Sequence, residues 1–512
     1  MSGLLSKRTW LGGVALLAAM GAAACGDDDD STAPTGGTSS GGNAGSNHGG
    51  DGGSSAGTMS QAGKTNGGSA GKGGTNGGSG GSQSPLGGQG GDGEQGGVGG
   101  SGGELGGAGG EGGQPISEIE QLRKAFSGMS PLPAVPADAT NKYADSAAAA
   151  ALGQKLFFDK KFSGALKADN DLGTMGQTGK VSCASCHSGP AMIDERNNHE
   201  GVATATGINT RNAPAVVNSA FYTWTNWGAR FSAQWELPLV VVENANLMAF
   251  NRLALAHRIF DAYKDDYNAA FDDDLAPEIG TDAGRFPAIG KPGDAAFDNM
   301  AGADKTIVNR ILANYSKALQ AYMRKLVSRE APFDTFMAGD DNALTAAEIR
   351  GAWQFVERGC GSCHSGPHFS DQDFHNLGVP QTGLNVPATD DGRFANTPAL
   401  VAGTNLFNRN GDFSDDKNTG KLETIPAVLP DTWKGVFRTP TLRGVALTAP
   451  YMHTGQLATL SDVIDFYAAG GGGNKLPTFT ITAQEKADLV AFLGTLTGKA
   501  VPNALLTDTS AP

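Results

Sequence analysis

Cys183-Ala184-Ser185-Cys186-His187 and Cys360-Gly361-Ser362-Cys363-His364 each place two thiols and an imidazole within five residues. On a helical turn, cysteines three apart share a face. Their sulfurs can then form thioethers to the two vinyl groups of one porphyrin. The histidine that follows falls under the iron as an axial ligand. Each stretch therefore reads as a c-type haem attachment site, and the chain is expected to carry two covalent haems c. A zinc site made from two Cys-x-x-Cys knuckles would use the same thiols. It would keep its knuckles close in sequence and has no need of the trailing histidine. Here most of a domain separates the pairs, and both carry the histidine.

The remaining cysteine of the five is Cys25, so no thiol is left over for a disulfide. A length of 512 residues allows two or three domains. The net charge of −14 argues against nucleic acid or an anionic membrane as partner, and would attract a basic cytochrome.

The segments that must position the motifs follow a simple order. Residues 1–25 read as an export signal, with Lys7 and Arg8 ahead of an apolar run from Leu11 to Met20. Ala22-Ala23-Ala24-Cys25 fits a lipoprotein cleavage site, an ordinary signal peptide cut near the alanines being the alternative. The expected location is the periplasmic side, with contact to the membrane only through a lipid on Cys25. Residues 26–115 are dominated by Gly, Ser, Asn and Gln, and hold too little apolar surface to offset the entropy of ordering. They predict a disordered, Gly-rich tether.

Beyond it the pattern is mainly α. Helices are expected over 118–126, 145–158, 253–267, 308–326, from Thr345 into the second motif, and over 482–496. Thr345 with Glu348, and Thr482 with Glu485, have capping-box spacing. The boundaries predicted are an N-terminal haem domain at 116–335 and a C-terminal cytochrome c domain at 336–505.

Leu156-Phe157-Phe158-Asp159, Arg211-Asn212-Ala213-Pro214, Ala331-Pro332-Phe333-Asp334, Phe374-His375-Asn376-Leu377-Gly378, Thr441-Leu442-Arg443 and Leu447-Thr448-Ala449-Pro450-Tyr451-Met452-His453 accompany the two motifs in this order. Over roughly 140–500 the chain resembles the bacterial di-haem cytochrome c peroxidases, a family that includes MauG. The resemblance implies two cytochrome c-like domains with one haem each. It also implies hydrogen peroxide reduction at the N-terminal haem, and electrons relayed through the C-terminal one from a small cytochrome or another redox protein. It allows a homodimer.

By position, the resemblance gives Trp227 the place of an inter-haem electron relay, with Trp224 or Trp235 as substitutes. Asn212, Thr448 and Pro450 match the ligands of a calcium ion, a cation suited to oxygen donors. Tyr467 falls where a methionine binds the second iron in the peroxidase branch. As a phenolate it would stabilise ferric and higher states, as in the MauG branch. Met452 is the alternative ligand.

Two features depart from the family. Ungapped counting puts Leu237 and Leu247 where a distal glutamine and glutamate belong. Glu243 is the first candidate for the base that peroxide cleavage requires, and Glu236 the second. No histidine precedes Arg211 at the place of the family's displaceable cap, since His199 is too early. The N-terminal haem is then expected to be open, with Met248 a remoter ligand. A two-haem electron carrier and an oxidase of a protein or organic substrate compete with the peroxidase reading.

Overall fold

Twelve α-helices dominate the described residues of this computed structural model, which are 116–194, 202–403, 405–418 and 420–511. The export signal, Cys25, the Gly-rich tether and His199 lie outside them. In chain order the helices are α1 Glu118–Ala125, α2 Ala147–Phe158, α3 Cys183–Cys186, α4 Glu236–Glu243, α5 Arg252–Ala270 and α6 Ala295–Asp298. They continue with α7 Gly302–Met323, α8 Pro332–Met337, α9 Ala346–Glu357, α10 Arg393–Val401, α11 Leu460–Ala468 and α12 Ala483–Gly494. Two short antiparallel strands, β1 Phe374–His375 and β2 Phe437–Arg438, form the one sheet among the described residues. The helix expectations land within three residues of α1, α2, α5, α9 and α12, while α7 starts six residues before the expected 308. Both capping boxes form, with Thr345 accepting from Glu348 N and Thr482 from Glu485 N.

Each haem motif is preceded by a helix that crosses a later one. α2 crosses α7, where a Cβ on Gly153 would lie 1.9 Å from the Ala318 carbonyl oxygen. α9 crosses α12, where a Cβ on Gly351 would lie 1.9 Å from the Asp488 carbonyl oxygen. Only glycine permits either backbone approach. The same helix pair is thus built twice, once ahead of each motif.

Two apolar cores follow from these crossings. Leu152, Leu156 and Phe157 of α2, Leu255 and Ile259 of α5, and Leu312 and Leu319 of α7 fill the first. The second is aromatic. Phe126 lies 5.2 Å from Phe333, 5.5 Å from Phe492 and 5.7 Å from Phe355, ring centre to ring centre. The N-terminal helix α1 therefore packs in the second core through Leu122, with Phe126 at its C-cap, although it precedes the first motif in sequence.

Long connections fill much of 365–440, with Phe369 in the second core and Phe407 and Phe413 packed against the first. The Arg211 guanidinium makes two hydrogen bonds to Asp390, at 2.7 and 2.5 Å. Lys317 of α7 pairs with Asp415 at 2.6 Å. Arg438 N donates to the Trp227 carbonyl at 2.9 Å.

Candidate haem centres and the junction between them

The first motif forms the turn α3, and the second a 3-10 turn over Cys360–Ser362. His187 N donates to Cys183 O at 2.9 Å, and His364 N to Cys360 O at 3.0 Å. Both motifs then read His-Ser-Gly-Pro. Gly189 and Gly366 turn left-handed at φ 67 and 66, and so do Met192 and Phe369, both at φ 51. A left-handed backbone costs a non-glycine residue roughly 1–2 kcal/mol.

The result is the same in both places. His187 Nδ1 lies 3.1 Å from Met192 O, and His364 Nδ1 lies 3.1 Å from Phe369 O. A carbonyl only accepts, so each Nδ1 carries the proton and each Nε2 keeps its lone pair for a metal.

Burial holds these groups uncharged. It lowers the His187 imidazole to about 4 and draws His364 down as well. It pushes the Cys183 thiol up to about 12 and Cys360 up to about 11. None of the four motif cysteines forms a disulfide. Paired unoxidised thiols on one turn, beside an imidazole fixed in the metal-binding tautomer, fit a covalent haem at each motif. Cys363 also lies within 4.8 Å of Asp371 and His375, a set with metal-ligand chemistry whose thiol the second haem would claim.

Tyr467, on α11, stands beside the second motif. Burial comes first and the Cys360 and Cys363 sulfurs next in pushing its phenol well above the ordinary range. Thr459 and Asp462 cap α11 reciprocally and fix its start. Met452 occupies a left-handed position at φ 70 in the loop before that helix.

Trp227 lies in the junction. Its Nε1 donates to Asn212 O at 2.8 Å, and its ring meets that of His453 edge-on at 6.4 Å. His453 is nearly fully buried and stacks on Phe437 at 3.7 Å. Burial lowers its imidazole to about 4, so its Nε2, 2.8 Å from Gln381 Nε2, accepts from that amide. Asn212 also crosses the junction, donating from Nδ2 to Pro450 O at 2.7 Å and from N to His453 O at 2.8 Å. Thr448 sits two residues earlier in the same loop, its hydroxyl donating to Val445 O at 3.0 Å. Asn212 and Pro450 are thus brought together. A calcium ion there would take the Pro450 carbonyl, with the Asn212 amide turned to present its oxygen.

The two α4 carboxylates have other partners. Glu243 accepts from Arg252 at 3.0 Å on one oxygen and 2.6 Å on the other, and again from Arg252 N at 3.0 Å. Glu236 is buried and accepts from Ser232 N at 3.1 Å and from the Ser232 hydroxyl. Burial raises it to about 7. Val240 and Val241, half-buried, rim the same core as Cys183 and Cys186. Leu237 and Leu247 are half-buried too. Trp235 is fully buried and donates to Thr140, and Met248 is buried in the first core.

The carbonyls of Met192 and Phe369 went unrecognised in the sequence, although the repeated His-Ser-Gly-Pro was a signal for them. The Phe437–His453 stack and the Arg211–Asp390 pair had no local signal, because each joins segments far apart in the chain.

The di-haem cytochrome c peroxidase family model matches residues 147–342. The chain is 32% identical over 386 residues to cytochrome-c peroxidase IdrP1 of Denitromonas iodatirespirans, covering 72% of this chain and 86% of the relative. It is 30% identical over 369 residues to the methylamine utilization protein MauG of Methylorubrum extorquens, covering 69% and 79%. The crystal structure of the diheme peroxidase BthA from Burkholderia thailandensis superposes with a TM-score of 0.49 at 21% identity, over 75% of this chain and 98% of that one. The family model and the likeness to IdrP1 and MauG place the chain, with its two Cys-x-x-Cys-His turns, in the di-haem cytochrome c peroxidase family, to which MauG also belongs.

Proposed function

We propose that the chain is an exported oxidoreductase that reduces hydrogen peroxide at a haem held by Cys183, Cys186 and His187. Electrons reach it from a second haem held by Cys360, Cys363 and His364. The observation that carries this reading is the paired anchoring of the two imidazoles at the same 3.1 Å, with Tyr467 beside the second motif. Bound haem supplies a redox-active iron. The chain fixes the ligand tautomer at each histidine, would offer the Tyr467 oxygen as a ligand at the second centre, and holds Trp227 against Asn212 and His453.

The division expected at 335 moves ahead of α8, whose Phe333 and Phe336 pack in the second core together with α1. Asn212, Thr448 and Pro450 are proposed to hold a calcium ion that braces the junction. The donor is a small cytochrome or another redox protein, drawn by the acidic surface. Location on the periplasmic side, through a lipid on Cys25, completes the proposal. Among the described residues no helix is long and apolar enough to cross a membrane.

A second reading is oxidation of a protein or organic substrate in the manner of MauG. Tyr467 favours it, because a phenolate stabilises higher oxidation states than a thioether does. The engaged α4 carboxylates favour it too. With Glu243 given to Arg252 and Glu236 to Ser232, proton transfer to peroxide falls to water, and turnover is expected to be slow.

Spectroscopy of the ferric holoprotein tests the proposal. One high-spin and one low-spin haem, with bleaching on peroxide addition, is the expected result. Two low-spin haems inert to peroxide would make the chain an electron carrier.

A further inference from the structure

Trp224 and Trp227 are three residues apart, yet their rings have opposite electrostatic surroundings. The Arg393 guanidinium lies 5.0 Å from the Trp224 ring centre, and the Lys421 ammonium lies 4.3 Å from it. Arg393 is 8% exposed, and its Nε and Nη1 have no hydrogen-bond acceptor. It is enclosed by Trp224, by Phe374 at 3.8 Å and by Trp433 at 4.3 Å. Lys421 is held in place by the carbonyls of Thr223 and Ser232, the latter at 3.0 Å. Tyr222 has Arg438 over its ring at 3.3 Å. Trp227 faces the uncharged His453 instead, and its N–H rests on a carbonyl oxygen.

A cation on a ring face is attracted to the π-cloud while the ring is neutral. Once the ring loses an electron, the same cation repels it across a desolvated contact. Removing an electron from Trp224, Trp433 or Tyr222 is therefore disfavoured relative to Trp227.

We propose that Arg393 and Lys421 are positioning residues that confine oxidation to Trp227 by holding Trp224 in its reduced state. This deepens, and rests on, the reading of Trp227 as the relay. The electron balance is simple. Hydrogen peroxide takes two electrons and two protons and becomes two waters. Each indole that supplies an electron loses one, and then its N–H proton to water. The two cations decide which indole supplies it.

Trp224 and Trp227 fall in one tryptic peptide, 212–230, so fragment ions compare them at equal ionisation. Ferric holoprotein at pH 6 keeps Lys421 protonated, since burial brings it only to about 7. Flash-quenched tris(bipyridine)ruthenium(III) is the external one-electron oxidant, and reads the rings whatever the haems do. In the unaltered chain, oxidised Trp227 should exceed oxidised Trp224 by tenfold or more. Lys421→Met, and more so Arg393→Gln, should bring the ratio towards one, while Lys421→Arg should restore it. A ratio near one in the unaltered chain, or one unmoved by both neutral substitutions, overturns the inference. Peroxide added without donor should repeat the pattern. If ruthenium gives the expected ratios and peroxide modifies no indole, the inference stands and the peroxidase reading fails.

Discussion

Arg252 engages both oxygens of Glu243, with its Nε 3.0 Å from one and its Nη2 2.6 Å from the other. The pair is largely buried, with 10% and 16% of the two side chains exposed. Arg252 also donates to Asn309 at 2.7 Å, which ties the start of α5 to α7. Breaking one partner of such a pair leaves a charge without its counterion and costs about 3 kcal/mol. Glu243→Gln is therefore expected to lower the unfolding free energy by that amount, while peroxide turnover per folded, haem-loaded molecule changes less than threefold. Chemical denaturation with parallel kinetics checks both. A large loss of turnover at unchanged stability would return Glu243 to the role of base.

Glu236 makes stability depend on pH. In the unfolded chain it ionises near 4.5, whereas burial holds the folded carboxyl at about 7. Between those values the fold keeps a proton that the unfolded chain has released. Its contribution is therefore complete below 4.5 and is lost as pH rises towards 7. The stability difference between Glu236→Gln and the unaltered chain should grow across that window to about 3 kcal/mol at its upper end, the buried histidines contributing alike to both. Unfolding free energies of both proteins between pH 4.5 and 7 measure this.

Gly351→Ala tests the second helix crossing. A helix interior ordinarily gains up to ~1 kcal/mol from this change. Here the added Cβ would meet the Asp488 carbonyl at 1.9 Å, so α9 and α12 must separate. A net loss of about 2 kcal/mol is expected from overpacking. Gly153→Ala should behave alike against Ala318, whereas Gly494→Ala, with nothing within 4 Å, should not destabilise.

Tyr467→Phe separates the two candidate ligands of the second iron. Loss of the phenol should convert the low-spin ferric spectrum to a five-coordinate one. Met452→Leu should leave that spectrum unchanged. The opposite pair of outcomes would transfer the ligand role to Met452.

Helices announced by local chemistry were legible in the sequence. Thr345 with Glu348 and Thr482 with Glu485 start α9 and α12 where their spacing predicts. The packing of α1 in the second core was not, because Leu122 and Phe126 advertise an apolar face without naming its partner. α4 was missed as a helix. Its Pro238 and three successive valines, Val240 to Val242, are poor helix formers held by burial of Leu239 and Val242 against the first core. The engagement of Glu243 was illegible for a similar reason. Nine residues separate it from Arg252, and only the turn after α4 brings them together.

The intact mass of the protein, exported from a host able to attach haem, tests the foundation most directly. A gain of two porphyrins is expected, falling to one in Cys183→Ser/Cys186→Ser and to one in Cys360→Ser/Cys363→Ser. A mass equal to that of the processed polypeptide alone would contradict both centres and the relay between them.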